Sequence, residues 1–221
     1  MQYKEDGFLP EALLNYLVRL GWSHGDQELF SREEMIALFD LDAVNRAPSA
    51  FNTEKLIWVN QHYIKEADPG LLAGLVREFM DADGIDSSTG PDLVAVVDAQ
   101  RERAGTLVEL AGLCRFYYQD FDEFSPAASK KAFKGEADKA LTFVRGKLEA
   151  LEHWQRESIH QCVAETVDEL EVGFGKVAMP LRVAITGGAP SPDLDLTVFL
   201  VGRQATLRRI DRAVVHIQSQ G

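Results

Sequence analysis

Apolar residues recur along this chain at the three- and four-residue spacing of helices, and no stretch alternates with the two-residue period of a strand over a useful length. The first run opens at Pro10, a residue suited to the first helical position. Leu13, Leu14, Leu17 and Val18 form its stripe, and Gly21 stands where a C-terminal cap belongs. Ser31-Arg32-Glu33-Glu34 has the form of a capping box, in which the hydroxyl and the carboxylate satisfy free amides ahead of Met35 to Phe39. Asn52 can cap a third helix carrying Leu56, Val59 and Tyr63 on one face. Residues 1–63 therefore read as a compact helical unit.

Asp68-Pro69 is a cap followed by a helix-opening proline, with Leu71, Leu72, Leu75, Val76 and Phe79 marking one face behind it. The polar run from Asp81 to Gly90 breaks that helix. Its acidic spacing suggests a calcium loop, but counting from Asp81 the sixth position is Asp86, not glycine, and the twelfth is Asp92, not glutamate, so it reads as a plain loop. A long helical stretch is expected from Pro91 to Tyr118, and helical pattern persists from Lys130 to Val172, with Ala140, Phe143, Val144, Leu148 and Leu151 as its stripe. Seven glycines and prolines then fall between Gly173 and Pro192, marking a loop-rich site between helices. A short helix from Leu194 to Val201 ends at Gly202. The last helix runs from Arg203 with Leu207, Ile210, Val214 and Ile217 inward and Arg208, Arg209 and Arg212 on its outward side. The fold class is all-α.

Charge qualifies this picture. The 221 residues carry a formal charge of −12, which argues against nucleic acid, yet from Phe174 onward six cations face three anions, so that end is +3 and the rest −15. An acidic body with a basic end suits docking one RNA at one place; the plainer reading is a solvated helix face. No run approaches the length of a membrane span, and residues 1–6 lack the layout of a signal peptide, so a soluble, cytoplasmic protein is expected. Cys114 and Cys162 lie far apart within apolar stretches, as buried reduced thiols would.

Catalytic groups occur singly, without a constellation. The five histidines have no ligand spacing, so no metal site is expected. Gly173-Phe174-Gly175-Lys176 and Thr186-Gly187-Gly188 lack the spacing and preceding strand of a phosphate loop and read as backbone turns. Asp120, Asp122, Glu123, Asp193 and Asp195 lie beside no partner in sequence and read as solvated surface. The aromatic run from Phe116 to Phe124 could stack on RNA bases, but its carboxylates would repel phosphates, and it reads as a helix end packed into the core.

Two motif groups go further. Tyr3-Lys4-Glu5-Asp6-Gly7-Phe8-Leu9-Pro10-Glu11-Ala12, with Leu20-Gly21-Trp22-Ser23-His24-Gly25-Asp26 and Phe51-Asn52-Thr53-Glu54-Lys55-Leu56-Ile57-Trp58-Val59-Asn60, resembles the stem-contact region of bacterial glutamyl-tRNA synthetases. Pro180-Leu181-Arg182-Val183-Ala184-Ile185-Thr186-Gly187, with Ser191-Pro192, Leu200-Val201-Gly202 and Leu207-Arg208-Arg209-Ile210, is similar to the end of that family's anticodon-binding region. The resemblance implies a stem-contact domain at residues 1–62 against the tRNA elbow and a helical anticodon-binding cage at 63–221, which a division near residue 150 would split in two. It implies that Arg182, Ser191, Pro192 and Leu194 line the splayed anticodon bases and that Arg103, in Arg101-Glu102-Arg103-Ala104-Gly105-Thr106-Leu107, reads the last of them. Lys55 and Trp58 are assigned to the stability of the small domain.

The family's ATP-handling signatures, a His-x-Gly-His-like motif and a Lys-Met-Ser-Lys-like loop, do not occur here. The resemblance therefore implies a catalytic half, holding ATP and Mg, that precedes residue 1 in a monomeric parent enzyme. That enzyme joins glutamate to tRNA(Glu) and has no DNA or membrane partner; this chain would supply the grip and be inactive alone. The rival expectation is a helical protein-interaction module that ends in a basic helix.

Overall fold

The computed structural model describes residues 2–45 and 49–220. Among them are thirteen α-helices: α1 (Gln2–Glu5), α2 (Pro10–Gly21), α3 (Arg32–Leu38), α4 (Thr53–Glu66), α5 (Pro69–Ala82), α6 (Leu93–Gln100), α7 (Leu107–Tyr118), α8 (Pro126–Ala132), α9 (Ala137–Ala150), α10 (Arg156–Glu169), α11 (Gly175–Thr186), α12 (Leu194–Val201) and α13 (Arg203–Ser219). The only strand-like pairing among the described residues is an isolated bridge between Trp22 and Val44. The all-α expectation holds.

The chain forms two compact units, Met1–Gly84 with Val97–Gly112, and Ile85–Val96 with Leu113–Gly221. This division differs from boundaries at 62 and 150, and specific bonds show why. A cut after residue 62 falls inside α4. Buried Asn60 accepts a hydrogen bond from the Leu9 amide at 2.8 Å and donates to the carbonyl of Gly105 at 2.6 Å, tying three segments of the first unit together. Arg101 donates to the Ala67 carbonyl at 2.8 Å.

Local signals set the helix starts in the first unit. Ser31 Oγ accepts from the Glu34 amide at 3.1 Å while the Glu34 carboxylate accepts from the Ser31 amide at 2.7 Å, completing the capping box. Asn52 and Asp68 cap α4 and α5 through the amides of Lys55 and Leu71. The buried face of α2 is Ala12, Asn15 and Tyr16; of the expected stripe, Leu13 and Val18 are partly buried, Val18 against Trp22, Phe30 and Met35, while Leu14 and Leu17 are half exposed. Polarity explains the choice: Asn15 donates to the Glu28 carbonyl and accepts from the Phe30 amide and the Tyr63 hydroxyl, a network that must lie inside. Burial, aided by the charges of Glu11 and Glu34, raises the Tyr63 phenol to about 12, so it stays a donor. Lys55 lies 4.0 Å above the Trp58 ring and pairs with Glu28, consistent with their assignment to this unit's stability.

The long helix expected from Pro91 to Tyr118 is broken between Gln100 and Leu107 by the 3-10 turn Arg101–Arg103. Here Gly105 sits so close to α4 that a Cβ would stand 2.7 Å from Ile57 Cγ2, and its carbonyl is the one Asn60 holds. A continuing helix could not make that approach.

In the second unit, α9 packs against α10, α11 and α13. Leu141, Val144 and Leu148 of α9, Ile159 of α10, Leu181 and Ile185 of α11 and Ile210 of α13 are all fully buried, each contributing about 1.5–3 kcal/mol relative to exposure. Phe143 stays half exposed. The run from Lys130 to Val172 is three helices, with breaks at Gly135 and at residues 151–155. Cys114 and Cys162 are buried free thiols. No helix among the described residues is long and apolar enough to cross a membrane.

The basic face of α13 is rearranged relative to expectation. Arg209 is 3% exposed, and its guanidinium donates to the carbonyls of Ile185 and Phe116 at 2.8 Å each, to that of Gln119 at 3.3 Å and to Asp120 at 2.9 Å. Arg208 joins Asp120 at 2.8 Å, and Arg212 lies 4.1 Å from the centre of the Phe121 ring while donating to the Phe121 carbonyl. Phe116 and Ile185 lie in the last turns of α7 and α11, where carbonyls have no helical partner, so one buried cation caps two helix ends. Asp120, expected to be solvated, is the counter-ion of this cluster, and Phe116, Tyr117 and Phe124 are buried as a packed helix end requires.

Candidate functional site

Most of the stretch from Gly173 to Pro192, expected to be loop-rich, is helix α11, which carries Pro180 within it, and the loop is confined to residues 187–193. α11 terminates at Gly187 in the left-handed conformation, with φ of +68°, and its amide closes on the Val183 carbonyl. A Cβ there would stand 2.8 Å from the Phe121 ring, so the turn and the aromatic segment fit only with glycine. The Thr186-Gly187-Gly188 motif is thus a backbone turn. From it the chain passes through Ser191 and Pro192 to α12.

Arg182, on α11, holds this segment. Its Nη1 donates to the Pro192 carbonyl at 2.5 Å and to the Ser191 carbonyl at 3.2 Å, and contacts Ser191 Oγ. Leu194 lies at the start of α12 and is buried. Four of the five expected site residues are therefore together. Arg103 belongs to the other unit, where it is exposed in the turn after α6 and donates to the Ala99 carbonyl at 3.1 Å.

Arg182 and Leu194 line a groove of about 540 Å³, floored by Val163 and Ala178 and walled by residues of α10, α11 and the first turn of α12. Of its lining, only Arg182 and Leu194 were singled out for this role from sequence. Arg156 pairs with Asp195 at 3.0 Å; His160 follows one turn later on α10; Phe174 and Met179 are 50% and 41% exposed. Phe174 had a signal: an aromatic between two glycines has no buried stripe to join. Arg156 had none, since its partner is 39 residues away. Two arginines face Asp193 and Asp195 here, so the groove is close to charge-balanced. It offers an exposed ring and a planar cation, which are means of holding flat, partly apolar groups with polar edges, whereas Ser191 and buried Pro192 lie behind it and outside its lining.

Residues 71–214 match the family described as anticodon binding domain, and the chain belongs to that family. Residues 1–58 match the family described as tRNA synthetases class I (E and Q), catalytic domain, so the stretch that the resemblance set apart as a stem-contact domain falls under that description. Two solved structures are similar across almost the whole chain. One is a glutamate tRNA ligase from Elizabethkingia meningosepticum CCUG26117 in complex with its amino acid, 28% identical over 97% of this chain and 43% of that one, with a TM-score of 0.87. The other is the glutamate-tRNA synthetase from Elizabethkingia anophelis, 29% identical over 96% of this chain and 42% of that one, with a TM-score of 0.84. The chain thus spans less than half the length of either.

Proposed function

We propose that this chain is the tRNA-gripping part of a glutamate-tRNA ligase and that the groove between α10, α11 and α12 receives anticodon bases of tRNA(Glu). The observation that carries this reading is placement: every residue of the groove lies within the 71–214 match to the anticodon-binding family. Arg182 presents a guanidinium to an unpaired base while fixing the Ser191–Pro192 turn behind the groove, Leu194 supplies apolar contact, and Phe174 stacks. Arg103 contacts the last anticodon base, and residues 1–62 rest against the tRNA elbow. The parent enzyme is cytoplasmic and monomeric. Its ATP, Mg and glutamate are handled by the portion of the relatives that this chain does not span.

Filter-binding titration with tRNA(Glu) and an anticodon-substituted counterpart tests the reading. Because Arg182 also holds the Ser191–Pro192 turn, Arg182→Ala is paired with Phe174→Ala, whose ring is half exposed and whose loss leaves folding intact. Loss of one stacked base weakens binding by about 1–3 kcal/mol, or roughly 5- to 150-fold. Affinity indifferent to the anticodon and to both substitutions overturns the assignment.

A further inference from the structure

A strand whose bases occupy a charge-balanced groove must have its phosphates neutralised elsewhere, and the structure offers a place beside that groove. A second depression is lined by Lys131, Lys134, Gly173, Gly175, Lys176 and Met179, together with Ala132. Gly175 and Met179 line both depressions, so the two are continuous around the start of α11. All three lysines are exposed, none is in an ion pair among the described residues, and no carboxylate lines the depression. In a chain with 35 acidic residues, three cations gathered without a counter-ion form a local anion site that the net charge of −12 conceals.

The backbone points the same way. α11 begins with no side-chain cap and no acidic residue in its first turn, and Gly175 and Lys176 of that turn line the depression, so no local carboxylate offsets the positive end of the helix there. Gly173 and Gly175 keep the surface around Phe174 open, and a Cβ at either would meet nothing within 4 Å. The Gly173-Phe174-Gly175-Lys176 motif then has a use that a plain turn leaves unexplained: it presents a ring with a cation two residues on.

The geometry points to Lys131, Lys134 and Lys176 as a phosphate track, on which the backbone of the same RNA strand runs while its bases enter the neighbouring groove at Phe174. This rests on the anticodon reading above and adds the path of the sugar-phosphate chain. A track of this kind contributes affinity without reading sequence.

The test is the salt dependence of tRNA(Glu) binding by the full 221-residue chain and by its Lys131→Ala/Lys134→Ala/Lys176→Ala variant, each against tRNA with the native and a substituted anticodon. Three phosphate contacts on a single strand contribute about 2 to the slope of log K against log salt, so between about 50 and 200 mM salt the variant forgoes roughly 20-fold of the wild type's loss of affinity. The expected result is that shallower slope, weaker binding at low salt and an unchanged affinity ratio between the two anticodons. An unchanged slope in a variant whose wild type distinguishes anticodons overturns the track and leaves the groove assignment standing. A wild type that does not distinguish anticodons overturns both.

Discussion

Replacing Arg209 by methionine keeps an aliphatic stem of similar length and removes the guanidinium that caps α7 and α11. The carbonyls of Phe116 and Ile185 are then buried without a partner, each at about 1–3 kcal/mol. Asp120 adds little, because its side chain is 44% exposed, can rehydrate and keeps Arg208. The expected loss is about 2–5 kcal/mol. Arg208→Met, which removes an exposed pair on the same helix, should cost under about 1 kcal/mol. Urea unfolding followed by far-ultraviolet circular dichroism measures both. Hydrogen exchange locates the effect, which should concentrate in the last turns of α7 and α11 and spare α2. Equal costs for the two variants, or a loss under about 1 kcal/mol for Arg209→Met, would refute the capping argument.

Other consequences follow from the same contacts. Burial is the largest single influence on Asp120 and opposes its charge, but the hydrogen bonds and charges of Arg209 and Arg208 together hold the carboxyl below its usual value. Its stabilising contribution is therefore complete above the unfolded pKa of about 3.9 and is lost as pH falls through the lower folded value; urea midpoints of the wild type should fall more steeply than those of Asp120→Asn across that acid range. Gly187→Ala places a methyl group in the Phe121 ring at positive φ and should cost about 1–3 kcal/mol, whereas Gly74→Ala, exposed in α5 with open space around it, should stabilise by about 0.4–1 kcal/mol; thermal melts of the pair check the sign. Asn60→Ala orphans the Leu9 amide and the Gly105 carbonyl and should cost the first unit about 2–5 kcal/mol by urea unfolding, with exchange at the Leu9 amide accelerated.

Whatever depends on neighbours in sequence was legible in it. Ser31, Asn52 and Asp68 cap helices through amides three residues on, so their roles can be read from a window of four letters. The left-handed turn at Gly187 and the helix pair meeting at Gly202 are equally local. What stayed hidden depends on pairings at a distance. Arg209 reaches residues about ninety positions earlier, and Asn60 joins segments 45 and 51 positions away. A helical wheel that sorts apolar from polar must place such residues outside, which is how Arg209 came to be counted with the outward cations and why Leu14 and Leu17 of α2 stood in for its true, partly polar, inner face. The site divided along the same line. Arg182, Ser191, Pro192 and Leu194 sit within thirteen residues and carry a recognisable motif, while Arg156 and His160 arrive from another helix.

The central claim is that anticodon bases enter the groove beside Phe174 and Arg182. Photo-crosslinking addresses it directly: tRNA(Glu) carrying 4-thiouridine in the anticodon is irradiated with the chain, and the adducts are mapped by mass spectrometry. The account predicts adducts within residues 173–195, diminished by Phe174→Ala. Adducts that map only to other segments, or none at a concentration that saturates binding, would contradict it.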